Sequence, residues 1–224
     1  MKYKNPEKGV FIDRPNRFIA HVEIGGKDHT VHVKNTGRCR ELLIPGAEVI
    51  LDRTDNPGRK TLYDLVAVKK PTVGWVNIDT QAPNKVALEY LQSKDYDYIK
   101  PEYTFGASRI DFYMEKNIEG TLRRYLMEVK GCTLEIDGTG YFPDAPTTRG
   151  VKHLKELSGA IELGFHPILA FVIQMNGVNT VLPNEVTDPK FTEAFMEAKA
   201  RGVEVLFLPC DVHPDGFSVK GELH

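Results

Sequence analysis

Two different periodicities divide the chain. Phe18, Ala20, Val22 and Ile24 alternate with Ile19, His21 and Glu23, the period-two pattern of a strand with one buried face. Gly25-Gly26 follows, and His29 to Val33 alternates again, so the pair predicts a hairpin. Further short strands are predicted at Gly9–Asp13, Glu48–Arg53 and Leu62–Lys69. The polar, irregular segment Asn35–Leu43 reads as a loop leading into a helical turn, closed by Pro45-Gly46. Short strands with one helical turn predict a small OB-like β-barrel.

Lys69-Lys70-Pro71-Thr72-Val73-Gly74 has the composition of a linker, which divides the chain into 1–75 and 76–224. Beyond it the grain changes. Asn84–Gln92 is helical, with Val86, Ala87, Tyr90 and Leu91 on one side. Strands are predicted at Lys100–Phe105, Ser108–Glu115 and Arg124–Thr133, then a long helix over Thr148–Leu163. The apolar run Ile168–Ile173 predicts a central strand, followed by a helix at Phe191–Arg201 and a strand at Glu204–Leu208. The order α, three strands, α, strand, α, strand predicts an α/β domain with a mixed, covered sheet.

The candidate chemistry lies in two of those strands. Asp111 interrupts the apolar run of Ser108–Phe112, and Glu128 and Lys130, two apart, share one strand face. With Glu119-Gly120 as a two-residue turn, Ile118 pairs with Thr121 and Asp111 falls opposite Glu128. Facing carboxylates repel across a bare sheet, and a divalent cation between them reverses that sign. Hard carboxylate oxygens suit Mg²⁺ or Mn²⁺, which lower the pKa of bound water and stabilise phosphoryl charge. A neighbouring lysine orients the water and offsets developing charge. The competing interpretation is a strand edge carrying an ordinary Glu–Lys pair.

Asp, then Glu-x-Lys, inside this order of elements resembles the PD-(D/E)xK nuclease superfamily, with Ile110 where the motif name has Pro. A closer resemblance spans nearly the whole chain. Asn35-Thr36-Gly37-Arg38, Ser108–Phe112, Glu128–Leu134 and the block Phe142–Leu154 resemble the sugar fermentation stimulation protein A family. Trp75, Asn77, Thr80 and Pro83-Asn84 fit the same pattern. The resemblance implies an N-terminal OB-like domain, a C-terminal nuclease-like domain and DNA binding.

The helix after Glu-x-Lys places Val151, Leu154, Leu157 and Ile161 on one face and Arg149, His153 and Glu156 on another. Arg149 and His153 are expected to reach toward the metal site or a DNA phosphate. Glu102 and Asp144 are further candidates, each open between metal ligand and ordinary surface or turn residue. Glu89 reads as a solvated helix position and Gln174 as a strand cap. Arg14, Arg17, Arg38 and Arg40 form a candidate nucleic-acid-binding surface on the barrel half.

Charge changes this picture only once it is divided. The whole chain has 29 Lys+Arg against 31 Asp+Glu, which argues against a nucleic-acid partner. Residues 1–80 carry a net +4 and the remainder a net −6, so the sum hides a basic barrel half. Three widely spaced cysteines, Cys39, Cys132 and Cys210, predict buried apolar residues in a reducing cytoplasm rather than a disulfide or zinc framework. No apolar run approaches a membrane span. Phosphate-loop, dinucleotide and serine-hydrolase motifs are absent from the sequence. The expectation is therefore a cytoplasmic DNA-binding protein with a Mg²⁺- or Mn²⁺-dependent nuclease site. Its alternatives are a non-catalytic DNA-binding regulator on the same scaffold and an RNA-directed protein.

Overall fold

The computed structural model describes residues 1–35 and 37–224. Thr36, part of the Asn35–Arg38 motif, lies outside the described residues. The first unit contains β1 (Pro6–Asn16), β2 (Ile19–Ile24), β3 (Lys27–Val33), β4 (Glu48–Arg53) and β5 (Tyr63–Lys70). The strands pair in the order β3-β2-β1-β4-β5, and β5 returns parallel onto β3 at His32–Asp64 and Val33–Leu65. That last pairing closes a five-stranded barrel and leaves no edge among the five. Ala20, Val22, Val31, Val49, Leu51 and Leu65 fill the interior at 0% exposure, the inward phase of the alternation. Cys39–Leu43 makes a hydrogen-bonded turn, with Leu42 and Leu43 N–H donating to the Cys39 carbonyl.

The expected linker is not one. Lys69 and Lys70 end β5, and the chain turns back as β6 (Gly74–Asn77), pairing from Ala67–Asn77 to Lys70–Gly74. Lys70 is consumed by the second unit, donating to a Glu135 carboxylate oxygen at 2.7 Å. From β6 the chain leads through Ile78 and a short turn into α1 (Ala82–Gln92).

A six-stranded mixed sheet forms the second unit. It contains β7 (Tyr98–Phe105), β8 (Ser108–Ile118), β9 (Thr121–Cys132), β12 (Phe165–Ile173), β14 (Glu204–His213) and β15 (Gly216–Val219). The order is β15-β14-β12-β9-β8-β7, with β12 parallel to both neighbours. Pro167–Ile173 are all buried, as befits a central strand covered on both faces. One face packs α1 against Phe112, Met114, Met127 and Val129. The other packs α2 (Thr148–Ala160) and α3 (Pro189–Ala200) against Leu126, Leu169 and Phe171.

A small sheet of β10 (Leu134–Ile136), β11 (Thr139–Phe142) and β13 (Val181–Pro183) lies outside every element expected from the sequence. These strands are too short to show periodicity, although Asp137-Gly138, both at positive φ, is a hairpin signal. The sheet carries the chain from β9 to the start of α2. The three cysteines are buried and unpaired. Among the described residues no helix is long and apolar enough to cross a membrane.

Candidate active site

The β8–β9 hairpin sets the site. Glu119 and Gly120 adopt φ of 52° and 79°, the left-handed pair that a two-residue turn requires. Pairing starts at Ile118–Thr121 and keeps one register to Phe112–Met127. There the ladder stops, one pair short of Asp111 and Glu128. Asp111 instead accepts the Val129 N–H at 2.8 Å through one oxygen and Asn84 Nδ2 at 2.7 Å through the other. Asn84 lies in the first turn of α1, whose N-terminus favours a carboxylate.

Glu128 faces away from Met127 and Val129, toward His153 of α2, and is only 3% exposed. Its Oε1 accepts Lys130 Nζ at 2.7 Å and also contacts His153 Nδ1. Its Oε2 is buried and has no hydrogen-bond partner among the described residues. The two carboxyls are pushed apart in acidity. Burial and then the Glu128 charge raise Asp111 above the usual carboxylate range. Burial also pushes Glu128 up, but His153 and Lys130 together outweigh it and hold the group below its ordinary value.

The α2 helix reaches this point because its start is fixed. Thr147 Oγ1 accepts the Gly150 N–H at 3.0 Å, and Asp188 accepts the Thr147 N–H at 2.7 Å. Leu154 and Leu157 anchor the helix in the core, which turns His153 inward. Arg149 Nε donates to His153 Nε2 at 3.4 Å while Arg149 itself stays exposed. Glu156, on the same face, accepts Ser108 Oγ at 2.6 Å through Oε1, and its Oε2 is buried without a partner among the described residues.

The structure thus brings Asp111, Glu128, Lys130, His153 and Arg149 together. Glu102 and Asp144 make no hydrogen bond or ion pair to them among the described residues. Glu102 sits at positive φ (56°) where the β7–β8 ladder breaks, and it pairs with Arg109 Nε at 2.6 Å. Asp144 lies against the barrel loop, where a Cβ on Gly37 would come within 2.7 Å of its Oδ2. Its side chain is crowded without being covered, and partial burial raises its carboxyl. Among the described residues no group of three or more His, Cys, Asp or Glu side chains is arranged to hold a metal ion.

Glu89 holds the Met1 amine at 2.7 Å. Gln174 ties the units together rather than capping a strand, donating to the Asn77 carbonyl and side chain, each at 3.0 Å. Gly131 makes room for it: a Cβ there would meet Gln174 Oε1 at 2.2 Å. Asn84, Ser108 and Glu156 entered the site from the structure. Asn84 left a trace in the sequence as a polar residue opening a helix after Pro83, and Glu156 as a member of the Arg149–His153 helix face.

The four barrel arginines line one open cleft of about 490 Å³, with Phe11, Leu43 and Pro45 as apolar floor. Their roles differ. Arg14 is half-buried and donates to the Asn35, Gly37, Arg38 and Arg17 carbonyls at 2.6–3.0 Å, so it shapes the loop. Arg17, Arg38 and Arg40 are exposed, and Arg17 stacks over Phe18 at 4.7 Å.

Comparison with known proteins agrees with both units. Residues 12–78 match the family described as the SfsA N-terminal OB domain, and residues 81–216 match the "Sugar fermentation stimulation protein RE domain". A sugar fermentation stimulation protein homolog from Desulfitobacterium hafniense strain Y51 is 49% identical over 218 residues, covering 96% of this chain and 93% of its own. A homolog from Clostridium beijerinckii is 46% identical, covering 98% and 97%. The solved structure of Pyrococcus furiosus SfsA in complex with Ca²⁺ superposes with a TM-score of 0.84 at 28% identity, covering 100% of this chain and 96% of that one. Matched over both units and almost end to end, the chain belongs to the sugar fermentation stimulation protein A family.

Proposed function

We propose that this protein binds DNA and hydrolyses its phosphodiester bonds at a divalent-metal site built on Asp111 and Glu128. The observation that carries this reading is Glu128 Oε2, a buried acceptor without a partner among the described residues, with a second, half-buried carboxylate, Asp111, nearby. An uncompensated buried oxygen is costly to a fold unless a ligand uses it. The donor set fits Mg²⁺ or Mn²⁺, whose hard-ion chemistry favours carboxylate oxygen completed by water and phosphate. That the relative from P. furiosus was solved with Ca²⁺ supports an oxygen-loving cation in the family. Asp111 and Glu128 would hold the ion, which when bound polarises the phosphodiester and acidifies a water.

The chain's own residues do the rest. Asn84 and the Val129 N–H fix the Asp111 carboxylate. Lys130 shares the Glu128 face and would orient the attacking water and offset the charge that develops on the phosphoryl group. Arg17, Arg38 and Arg40 offer cations along the barrel cleft for the phosphate backbone. Incubation with matched single- and double-stranded DNA and RNA in Mn²⁺ tests the reading. Cleavage by the wild type and its loss in Asp111→Ala are expected, and equal cleavage by both overturns the assignment.

One observation favours a second reading, a non-catalytic DNA-binding regulator on the same scaffold. Glu128 is already matched by Lys130 and His153, and no third acidic or imidazole ligand completes a cluster among the described residues. That reading predicts salt-dependent DNA binding without cleavage in any metal.

A further inference from the structure

Helix α2 presents two residues to Glu128 in a fixed chemical order. Arg149 and His153 are one turn apart and share a face. Arg149 Nε lies 3.4 Å from His153 Nε2, and His153 Nδ1 contacts Glu128 Oε1. A guanidinium can only donate, so the His153 nitrogen facing it is an acceptor. The ring hydrogen then sits on Nδ1, aimed at Glu128. The bonds therefore run one way, from Arg149 through His153 to Glu128.

Lys130 Nζ donates to that same Oε1 at 2.7 Å. Two donors converge on one oxygen while Oε2 has none among the described residues. A carboxylate with free rotation would share its donors between both oxygens. This one is held by side chains that are themselves nearly covered, His153 at 6% and Lys130 at 14% exposure. Arg149's terminal nitrogens make no hydrogen bond among the described residues and face solvent.

We propose that His153 is a positioning residue which, oriented by Arg149, fixes Glu128 so that Oε1 is spent inside the protein and Oε2 is presented to a hard divalent cation. Arg149's outer nitrogens remain available to a non-bridging phosphodiester oxygen beside that cation. The inference rests on the metal-site reading above and adds to it a direction and a residue that need not touch substrate.

The first test needs neither metal nor DNA. Long-range ¹H–¹⁵N correlation spectra of protein labelled in histidine, recorded without metal, report which His153 nitrogen carries hydrogen. A hydrogen on Nδ1 with Nε2 bare is expected; the opposite tautomer, or hydrogen on both, overturns the proposal. The second test titrates Mn²⁺ alone, followed by electron paramagnetic resonance. Loss of an orienting partner typically weakens metal binding by about 10–100-fold, which is expected for His153→Phe, while His153→Gln, keeping an N–H donor, recovers part of it. Unchanged Mn²⁺ affinity in a folded His153→Phe, or no Mn²⁺ binding by the wild type, overturns the relay. The two readings fail separately. Weakened Mn²⁺ binding in His153→Phe with no DNA cleavage by the wild type keeps the relay and contradicts the nuclease. Cleavage by the wild type with unaltered Mn²⁺ affinity in His153→Phe does the reverse.

Discussion

Replacing Glu135 by Gln removes one charge from the clamp that joins the two units and leaves its shape. Glu135 Oε2 accepts Lys70 Nζ at 2.7 Å and Thr72 Oγ1 at 2.8 Å, and its Oε1 accepts the Gly138 N–H at 2.6 Å. Those bonds hold its carboxyl at about 2 instead of the ordinary 4.5, with the Lys70 bond the largest cause. A native carboxyl more acidic than the unfolded one stabilises the fold above the unfolded value. That stabilisation disappears as pH falls from about 4.5 to about 2. At about 1.4 kcal/mol per pH unit, the gap corresponds to roughly 3 kcal/mol at neutral pH. The clamp borders a surface cleft, so solvent screening trims this to about 2 kcal/mol. Urea midpoints for wild type and Glu135→Gln at pH 7, 5, 4 and 3 give the assay. The variant is expected to lose about 2 kcal/mol at pH 7, with the difference shrinking below pH 4.5. A loss of under about 0.5 kcal/mol at pH 7, or one that does not shrink with acid, refutes the argument.

Three further outcomes follow from the geometry. Gly131→Ala drives a Cβ to 2.2 Å from Gln174 Oε1 and 2.8 Å from Pro83 Cγ, so its thermal midpoint should fall, with a cost of about 1–3 kcal/mol. Lys34→Met strips the 2.8 Å partner from Asp79, whose side chain is 0% exposed, and should cost about 3 kcal/mol by chemical denaturation; adding Asp79→Asn should recover part of it. Replacing Arg17, Arg38 and Arg40 together by Gln should weaken binding to a single-stranded oligonucleotide and flatten its log–log salt dependence by about 2, measured by fluorescence anisotropy. An unchanged slope removes the cleft from the DNA path.

The parts of the fold legible in the sequence were those whose period outlasts noise. The alternation in β2 and β3 and the apolar run of β12 gave the barrel and the central strand directly. Strands of three or four residues, β10, β11, β13 and β6, were not legible, because a period of two cannot be read from so few positions. Lys69–Gly74 misled for a different reason. Its Lys, Pro and Gly composition is that of a linker, but Lys70 has a buried partner 65 residues away. In the site, Glu128 and Lys130 followed from the strand period, and the register of Asp111 from the Glu119-Gly120 turn. The one-pair shortfall of the ladder could not follow, since it depends on Asp111 taking the Val129 N–H. Ser108 and Glu156 show the same limit, being joined only when α2 docks on the sheet. Arg14 shows it in reverse, a cation visible in the sequence whose terminal nitrogens donate to four carbonyls.

The central claim is that Asp111 and Glu128 hold one divalent cation between them. Anomalous diffraction from crystals grown with Mn²⁺ tests it without reference to turnover. The account predicts a peak within about 2.0–2.6 Å of an Asp111 carboxylate oxygen and of Glu128 Oε2, the range of oxygen-bound divalent cations, with Glu128 Oε1 still on Lys130 and His153. No peak there at saturating Mn²⁺, or a peak bound elsewhere on the chain, contradicts it.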